Sequence, residues 1–308
     1  MPTPILIDTD MGVDDALAIA LALAGGGLEL AGLVSVGGNV PLDQATGNIG
    51  RVLAGLGLED FPPVGVGLDQ TGCLRDATGI FGADGLGETH LAVPDDYRTQ
   101  SYVEVYERCL ERHGEALVIA AIGPLTNLAA LLRERPDLLR RAGRIIIMGG
   151  AVWCPGNVTR WAEFNFYRDP RAAAEVLSAG LPVTLVPLDV TGQVAMDESH
   201  VAHLSRSGRR GGELLARMMR HALERGEGGR KGTVLVHDAV AVGTLLWPEL
   251  FMRSRVAIEV VLEGEQAGRS RPVVGKDKAR QSAVVISVSV VDFLESLLER
   301  ICQEEFIV

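Results

Sequence analysis

Up to about Met196, short apolar runs alternate with longer segments whose apolar positions recur at helical spacing. Pro4–Ile7, Leu30–Val36, Pro63–Val66, Leu117–Ala121, Arg144–Met148 and Val183–Pro187 read as strands. Asp14–Ala24, Leu42–Leu56, Ser101–His113, Pro124–Arg133 and Pro170–Ala179 read as helices between them. The strands are continuously apolar rather than alternating, which suits parallel strands covered on both faces. Such strand–helix alternation predicts an α/β fold with an open, mostly parallel, doubly wound sheet flanked by helices.

Beyond Met196 the pattern changes. A short helix from Asp197 to about Leu204 is followed by helices over Glu213–Glu224 and Asp238–Leu245. Two strands, Val256–Leu262 and Ala283–Val290, and a closing helix, Asp292–Cys302, complete the reading. No composition break, repeat or low-complexity tract divides the chain, so one domain over 1–308 is expected. Two glycine-rich segments, Gln70–Glu88 and Arg225–Gly232, read either as ordinary surface loops or as a rim over a site.

Composition narrows the function classes. The 308 residues are 47% hydrophobic, enough for a substantial core. A net charge of −11 argues against nucleic acid and against an anionic membrane surface as partners. Cys73, Cys109, Cys154 and Cys302 form no C-x-x-C pair and no zinc pattern, so reduced thiols are expected. There is no signal-peptide pattern, and the stretch Ala16–Leu28 is too short to span a bilayer. A cytoplasmic protein is expected.

The chemistry concentrates at the end of the first strand, in Ile5-Leu6-Ile7-Asp8-Thr9-Asp10-Met11-Gly12-Val13-Asp14-Asp15. Four acids meet where a strand's carboxyl end adjoins a helix amino end, the edge at which open α/β sheets bind ligands. Four carboxylates so close require a cation, protons or a hydrogen-bonding ligand. An EF-hand is excluded: Val13 stands where that loop needs glycine, and Ile19 where it needs a bidentate acid. Oxygen donors still suit Ca²⁺ or Mg²⁺ better than a softer metal. Helix capping accounts for Asp14 and Asp15 but leaves Asp8 and Asp10 unexplained.

Asp8-Thr9-Asp10-Met11-Gly12-Val13-Asp14-Asp15-Ala16 resembles the amino-terminal signature of the nucleoside hydrolase family, inosine–uridine-preferring type. The resemblance continues in order through Val36-Gly37-Gly38-Asn39, Gly123-Pro124-Leu125-Thr126-Asn127, Met148-Gly149-Gly150, Ala162-Glu163-Phe164-Asn165 before Asp169-Pro170, and His237-Asp238-Ala239. It implies an open α/β fold with Ca²⁺ at the bottom of a pocket. It implies Asp10, Asp15, the Thr126 carbonyl and Asp238 as calcium ligands, and Asp10 also as general base. Asp14, Asn39, Asn157, Glu163 and Asn165 would bind ribose, with Met148 lining the sugar pocket and Asp8 supporting the loop. His237 would face the departing base, a role suited to its pKa. The implied reaction is hydrolysis of a ribonucleoside to base and ribose by a homodimer or homotetramer. Acids and amides suit that chemistry, because breaking an N-glycosidic bond builds positive charge on the sugar.

Three departures concern the base side. Phe81 stands where many members carry a histidine. Leu214–Arg230 has no tyrosine and offers Arg217, Arg220, His221 and Arg225 instead. Trp153 and Trp161 flank the Asn157 segment and are placed to stack on a base or to pack against helices. Two rival readings stand beside the hydrolase. In a haloacid-dehalogenase-type phosphatase, Asp8 would be nucleophile and Asp10 acid/base, which gives Asp14, Asp15, Glu163 and Asn165 no role. A non-catalytic nucleoside or ribose sensor on the same scaffold is the other.

Overall fold

A computed structural model describes residues 1–70, 77–226, 231–273 and 281–303. Its strands are β1 (Thr3–Thr9), β2 (Leu28–Ser35), β3 (Val64–Val66), β4 (Gln100–Ser101), β5 (Val118–Ala121), β6 (Arg144–Met148), β7 (Val183–Val186), β8 (Ala195–Asp197), β9 (Thr233–Leu235), β10 (Phe251–Val260), β11 (Ser270–Val273) and β12 (Gln281–Val288). Ten of them form one sheet in the order β11-β10-β12-β7-β6-β5-β1-β2-β3-β4. From β4 to β12 every pairing is parallel, and only β10 runs antiparallel to its two neighbours. β8 and β9 make a separate antiparallel pair.

The chain first builds outward from β1 to β4, then returns to lay β5, β6 and β7 on the other side of β1. The strand order therefore reverses between β1 and β5. A crevice opens there at the carboxyl ends, because the connections leave in opposite directions.

The helices are α1 (Val13–Leu23), α2 (Leu42–Leu56), α3 (Thr78–Phe81), α4 (Tyr102–His113), α5 (Thr126–Glu134), α6 (Pro136–Leu139), α7 (Phe164–Arg168), α8 (Pro170–Ser178), α9 (Leu188–Thr191), α10 (Glu198–Arg206), α11 (Arg210–Arg225), α12 (His237–Leu246) and α13 (Val290–Gln303). They cover both faces of the sheet. Ile5 and Ile7 of β1 join a core with Leu17 of α1, Leu53 of α2, Leu215 of α11, Val240 of α12 and Phe293 of α13. Leu6, between them, joins the opposite core with Tyr106 of α4, Leu128 of α5 and Val176 of α8. This is the period-two alternation of a strand buried on both sides. α1 is apolar nearly all round and is correspondingly buried from Val13 to Ala22.

The sequence reading placed the parallel strands and long helices but misjudged several ends. α1 begins at Val13 with Gly12 as its N-cap, so Asp14 is not the cap. β10 begins at Phe251 rather than Val256: Met252, Arg253, Ser254 and Arg255 are exposed and lack the apolar run that marks an inner strand. The short elements β4, β8, β9, β11, α3, α6, α7 and α9 carry too few residues to set a period. Residues 71–76 and 227–230 of the two glycine-rich segments lie outside the described residues. No helix among the described residues is long and apolar enough to cross a membrane.

Candidate active site

β1 ends at Thr9, and the chain must turn sharply to start α1. Met11 makes that turn with φ at 51°, a left-handed conformation unusual outside glycine. Its N–H donates to Thr9 Oγ1 at 3.1 Å, and its carbonyl accepts from Asn48 Nδ2 at 3.3 Å. The turn brings Asp10 to the end of the strand and Asp14 and Asp15 into the first turn of α1. Asp15 accepts the Gly12 N–H at 2.8 Å and the Thr9 hydroxyl at 2.5 Å. It is thus partly a helix-capping residue.

Asn39, just beyond β2, aims the Asp10 carboxylate. Its N–H donates to Asp10 Oδ2 at 2.7 Å, and its Nδ2 to Asp10 Oδ1 at 3.2 Å and to Asp15 Oδ2 at 3.1 Å. Gly38 is required beside it: a methyl group there would fall 2.0 Å from Asp10 Oδ2.

α12 presents its amino end to the same place, with His237 and Asp238 in its first turn. Asp14, Asp15 and Asp238 each offer an oxygen within 4.8 Å of the others, and all are buried. Burial, followed by the charges of Asp14, Asp15 and Asp10, holds the Asp238 carboxyl well above its ordinary range. Burial and the Asp15 charge do the same to Asp10. Burial raises Asp15 against the hydrogen bonds from Thr9 and Gly12. Two helix amino ends and the Asn39 amide only partly offset this repulsion. A dication would relieve it, and three buried carboxylates are the donors a hard cation takes. The residues present therefore fit a metal ion.

Of the expected ligands, Asp15 and Asp238 fall within this close group. Asp14 completes the close group with Asp15 and Asp238, while Asp10 lies beside it in the grip of Asn39. Thr126 opens α5, and its hydroxyl donates to Asp169 Oδ2 at 2.9 Å.

A cavity of about 220 Å³ opens above the acids. Asp10, Asp14, Asn39 and Asp238 form one side, and Asn157, Glu163, Asn165 and Met148 another. Glu163 caps α7, accepting from the N–H groups of Asn165 (2.8 Å), Phe166 (3.1 Å) and Gly150 (2.8 Å). Burial nevertheless raises its pKa, against those bonds and the nearby His237. Asn165 Nδ2 donates to the carbonyls of Ile122 (2.8 Å) and Met148 (3.2 Å), so it ties together the ends of β5 and β6. Asn157 Oδ1 accepts from Phe164 N at 3.0 Å.

The rest of the lining includes the apolar Ala77, Ile80, Phe81, Val158 and Phe164, and the titratable His237. His237 is buried, with Nδ1 at 2.8 Å from Thr191 Oγ1. Every residue expected to bind substrate or to catalyse lines this one cavity; Asp15 and Thr126 are buried and are not among its lining residues.

Other candidates fall elsewhere. Asp8 is fully buried, with its Oδ2 accepting from Tyr106 Oη at 2.7 Å and Asn127 Nδ2 at 2.9 Å. Burial pushes it up to about 7 against those two bonds. It does not line the cavity, which removes the phosphatase nucleophile. Trp153 is 54% exposed, and Trp161 lies beneath the guanidinium of Arg269 at 4.4 Å. Neither lines the cavity, so neither stacks on a base there. Arg217 donates to Thr89 O and Arg220 to Ser205 Oγ, both away from the cavity. Sequence reasoning missed Ile80, Val158 and Phe164. Only Phe164 carried a signal, its place between Glu163 and Asn165.

A sequence model of the inosine-uridine preferring nucleoside hydrolases matches residues 5–295. The pyrimidine-specific ribonucleoside hydrolase RihA of Citrobacter koseri is 35% identical over 271 residues, covering 86% of each chain. The solved purine-preferring ribonucleoside hydrolase from Gardnerella vaginalis superposes with a TM-score of 0.90 at 30% identity, over 99% of this chain and 100% of its own. A plant nucleoside hydrolase, PpNRh1, gives 0.92 at 29% identity over the same shares. Fold, site and relatives define an enzyme of the nucleoside-hydrolysing class. The chain belongs to the inosine-uridine preferring nucleoside hydrolase family.

Proposed function

We propose that the whole chain serves as one calcium-dependent catalytic domain that hydrolyses the N-glycosidic bond of ribonucleosides. The observation that carries this reading is the meeting, in one cavity, of the buried acid turn with the Asn157–Glu163–Asn165 wall. Oxygen donors on Asp15 and Asp238, with Asp14 or Asp10 and the Thr126 carbonyl, would hold the cation. When bound, Ca²⁺ supplies positive charge that neutralises the acids and polarises oxygen ligands.

The chain's own groups account for the remaining steps. Asp10, aimed by Asn39, takes a proton from the attacking water. Asp14 and Asn39 accept and donate to ribose hydroxyls, and Asn157 and Asn165 hold the sugar from the opposite side. Glu163 faces the ring on which positive charge develops as the C–N bond breaks. Met148 packs under the sugar and Phe81 against the base. His237 gives the departing base a hydrogen bond or a proton. The acid-rich sugar side would repel a 5′-phosphate, which favours nucleosides over nucleotides.

The names of the relatives differ in base, pyrimidine for one and purine for another. Ribose recognition is the part of the reading that does not depend on base. A site built to pair a hydroxyl rejects the analogue lacking it, because buried polar groups are left unsatisfied. A 2′-deoxyribonucleoside should therefore show a kcat/KM lower by about 10³ or more than its ribose counterpart. Equal values for the two would contradict the assigned sugar contacts.

A further inference from the structure

Three polar side chains stand at helical spacing along one face of α2, and each donates to a backbone carbonyl of the segment that follows Phe81. Gln44 Nε2 reaches Ala83 O at 2.7 Å, Asn48 Nδ2 reaches Asp84 O at 2.9 Å, and Arg51 Nε reaches Leu91 O at 2.9 Å. Positions i, i+4 and i+7 form one stripe on a helix. The segment they hold folds back on itself. Gly87 N donates to Phe81 O at 2.7 Å, and the Asp84 carboxylate collects the N–H groups of Leu86, Glu88 and His90. Where this turn sits therefore decides where the Phe81 ring sits.

Asn48 differs from its two neighbours on the stripe. It is fully buried, and the same Nδ2 also donates to Met11 O at 3.3 Å. Its Oδ1 accepts from Arg51 Nη1 at 3.0 Å, which fixes the orientation of the amide. Met11 is the left-handed residue between Asp10 and the first turn of α1. A strained conformation of that kind persists only where neighbours over-determine it.

We propose that Asn48 is a positioning residue: its single amide ties the acid turn carrying Asp10, Asp14 and Asp15 to the wall segment carrying Phe81. The sugar side and the base side of the cavity are thereby kept at one spacing. The inference rests on reading Phe81 as the base wall. Removing the amide leaves the buried Met11 carbonyl and the half-buried Asp84 carbonyl without this donor and frees both sides to drift.

The test compares Asn48→Ala and Gln44→Ala with the wild type by amide hydrogen exchange and by kinetics on one purine and one pyrimidine ribonucleoside. Asn48→Ala is expected to speed exchange in both 10–16 and 82–91, which are distant in sequence. It should also lower kcat about tenfold and change the ratio of the two kcat/KM values at least about threefold, as misplaced reacting groups do. Gln44→Ala breaks a wall-side bond alone and should loosen 82–91 without 10–16, acting mainly through KM. A lower Tm with unchanged kcat per folded molecule and an unchanged base ratio would overturn the proposal, for Asn48 would then be a core residue only. If Asn48→Ala does not fold, wild-type exchange decides. The two segments must open with a common free energy, and unrelated opening energies contradict the tie. If the wild type cleaves no nucleoside, the functional reading fails while the exchange arm still judges the tie.

Discussion

Asp8 and Asp10 stand two residues apart at the end of β1, yet their surroundings assign them different work. Asp10 lines the cavity and is aimed by Asn39. Asp8 is turned to Tyr106 and Asn127, with burial raising its pKa from 3.8 to about 7. The sign of the consequence follows from proton binding. Between those two values the folded chain holds a proton that the unfolded chain has lost. Stability from neutral Asp8 is therefore full below about pH 4 and is lost as pH rises through about 7. Asp8→Asn, which keeps the neutral shape, should flatten the dependence of Tm on pH between 4 and 7 in metal-stripped protein. An unchanged slope would show that Asp8 is ionised throughout. At His237, the 2.8 Å contact of Nδ1 with Thr191 orients the ring in the cavity. His237→Ala should slow natural nucleosides by about 10²–10⁴, while a riboside whose leaving group needs no proton, such as p-nitrophenyl riboside, loses far less. Equal losses on the two would place His237 in support of Asp238 instead.

The elements explain why so much of the site could be read from sequence and why some could not. Inner parallel strands are continuous apolar runs, so β1, β2, β5, β6 and β7 were legible, and with them the strand ends and loops that carry Asp10, Asn39 and Met148. The antiparallel arm was less legible, because the exposed half of β10 is polar. Short elements such as α7 and α9 owe their form to caps and neighbours rather than to period. Glu163 caps α7 through two N–H groups and accepts a third from Gly150, and no periodicity announces that. The turn between β2 and α2 supplies a test at this scale. Gly38 gives the Asp10 carboxylate room that no side chain could leave, with 2.0 Å to a would-be methyl group. Gly38→Ala should leave far-ultraviolet circular dichroism unchanged and lower kcat by about 10², the cost of misplacing a reacting group by roughly 1 Å. Wild-type kcat in that variant would show that Asp10 need not sit where Asn39 holds it.

At the scale of the whole molecule, the reversal of strand order between β1 and β5 brings four separated parts of the chain to one edge. Asp10 follows β1, Asn39 follows β2, Met148 and Glu163 stand at the two ends of the β6–α7 connection, and Asp238 opens α12; they meet because the sheet is wound in both directions from β1. Motif order in the sequence anticipated that meeting through a family resemblance; residue spacing alone did not. The same topology buries carboxylates that repel one another, a repulsion that a bound cation would relieve. In the proposed function metal and sugar bear on one cluster, and both are tested together. The most direct measurement is release of free base and reducing sugar from a panel of purine and pyrimidine ribonucleosides. It is run on the native protein, after thorough chelation, and after Ca²⁺ is returned. Equimolar base and ribose from at least one nucleoside, loss of both on chelation and recovery with Ca²⁺ is the expected result. Binding without release across the panel, or full turnover in demonstrably metal-free protein, would contradict the account.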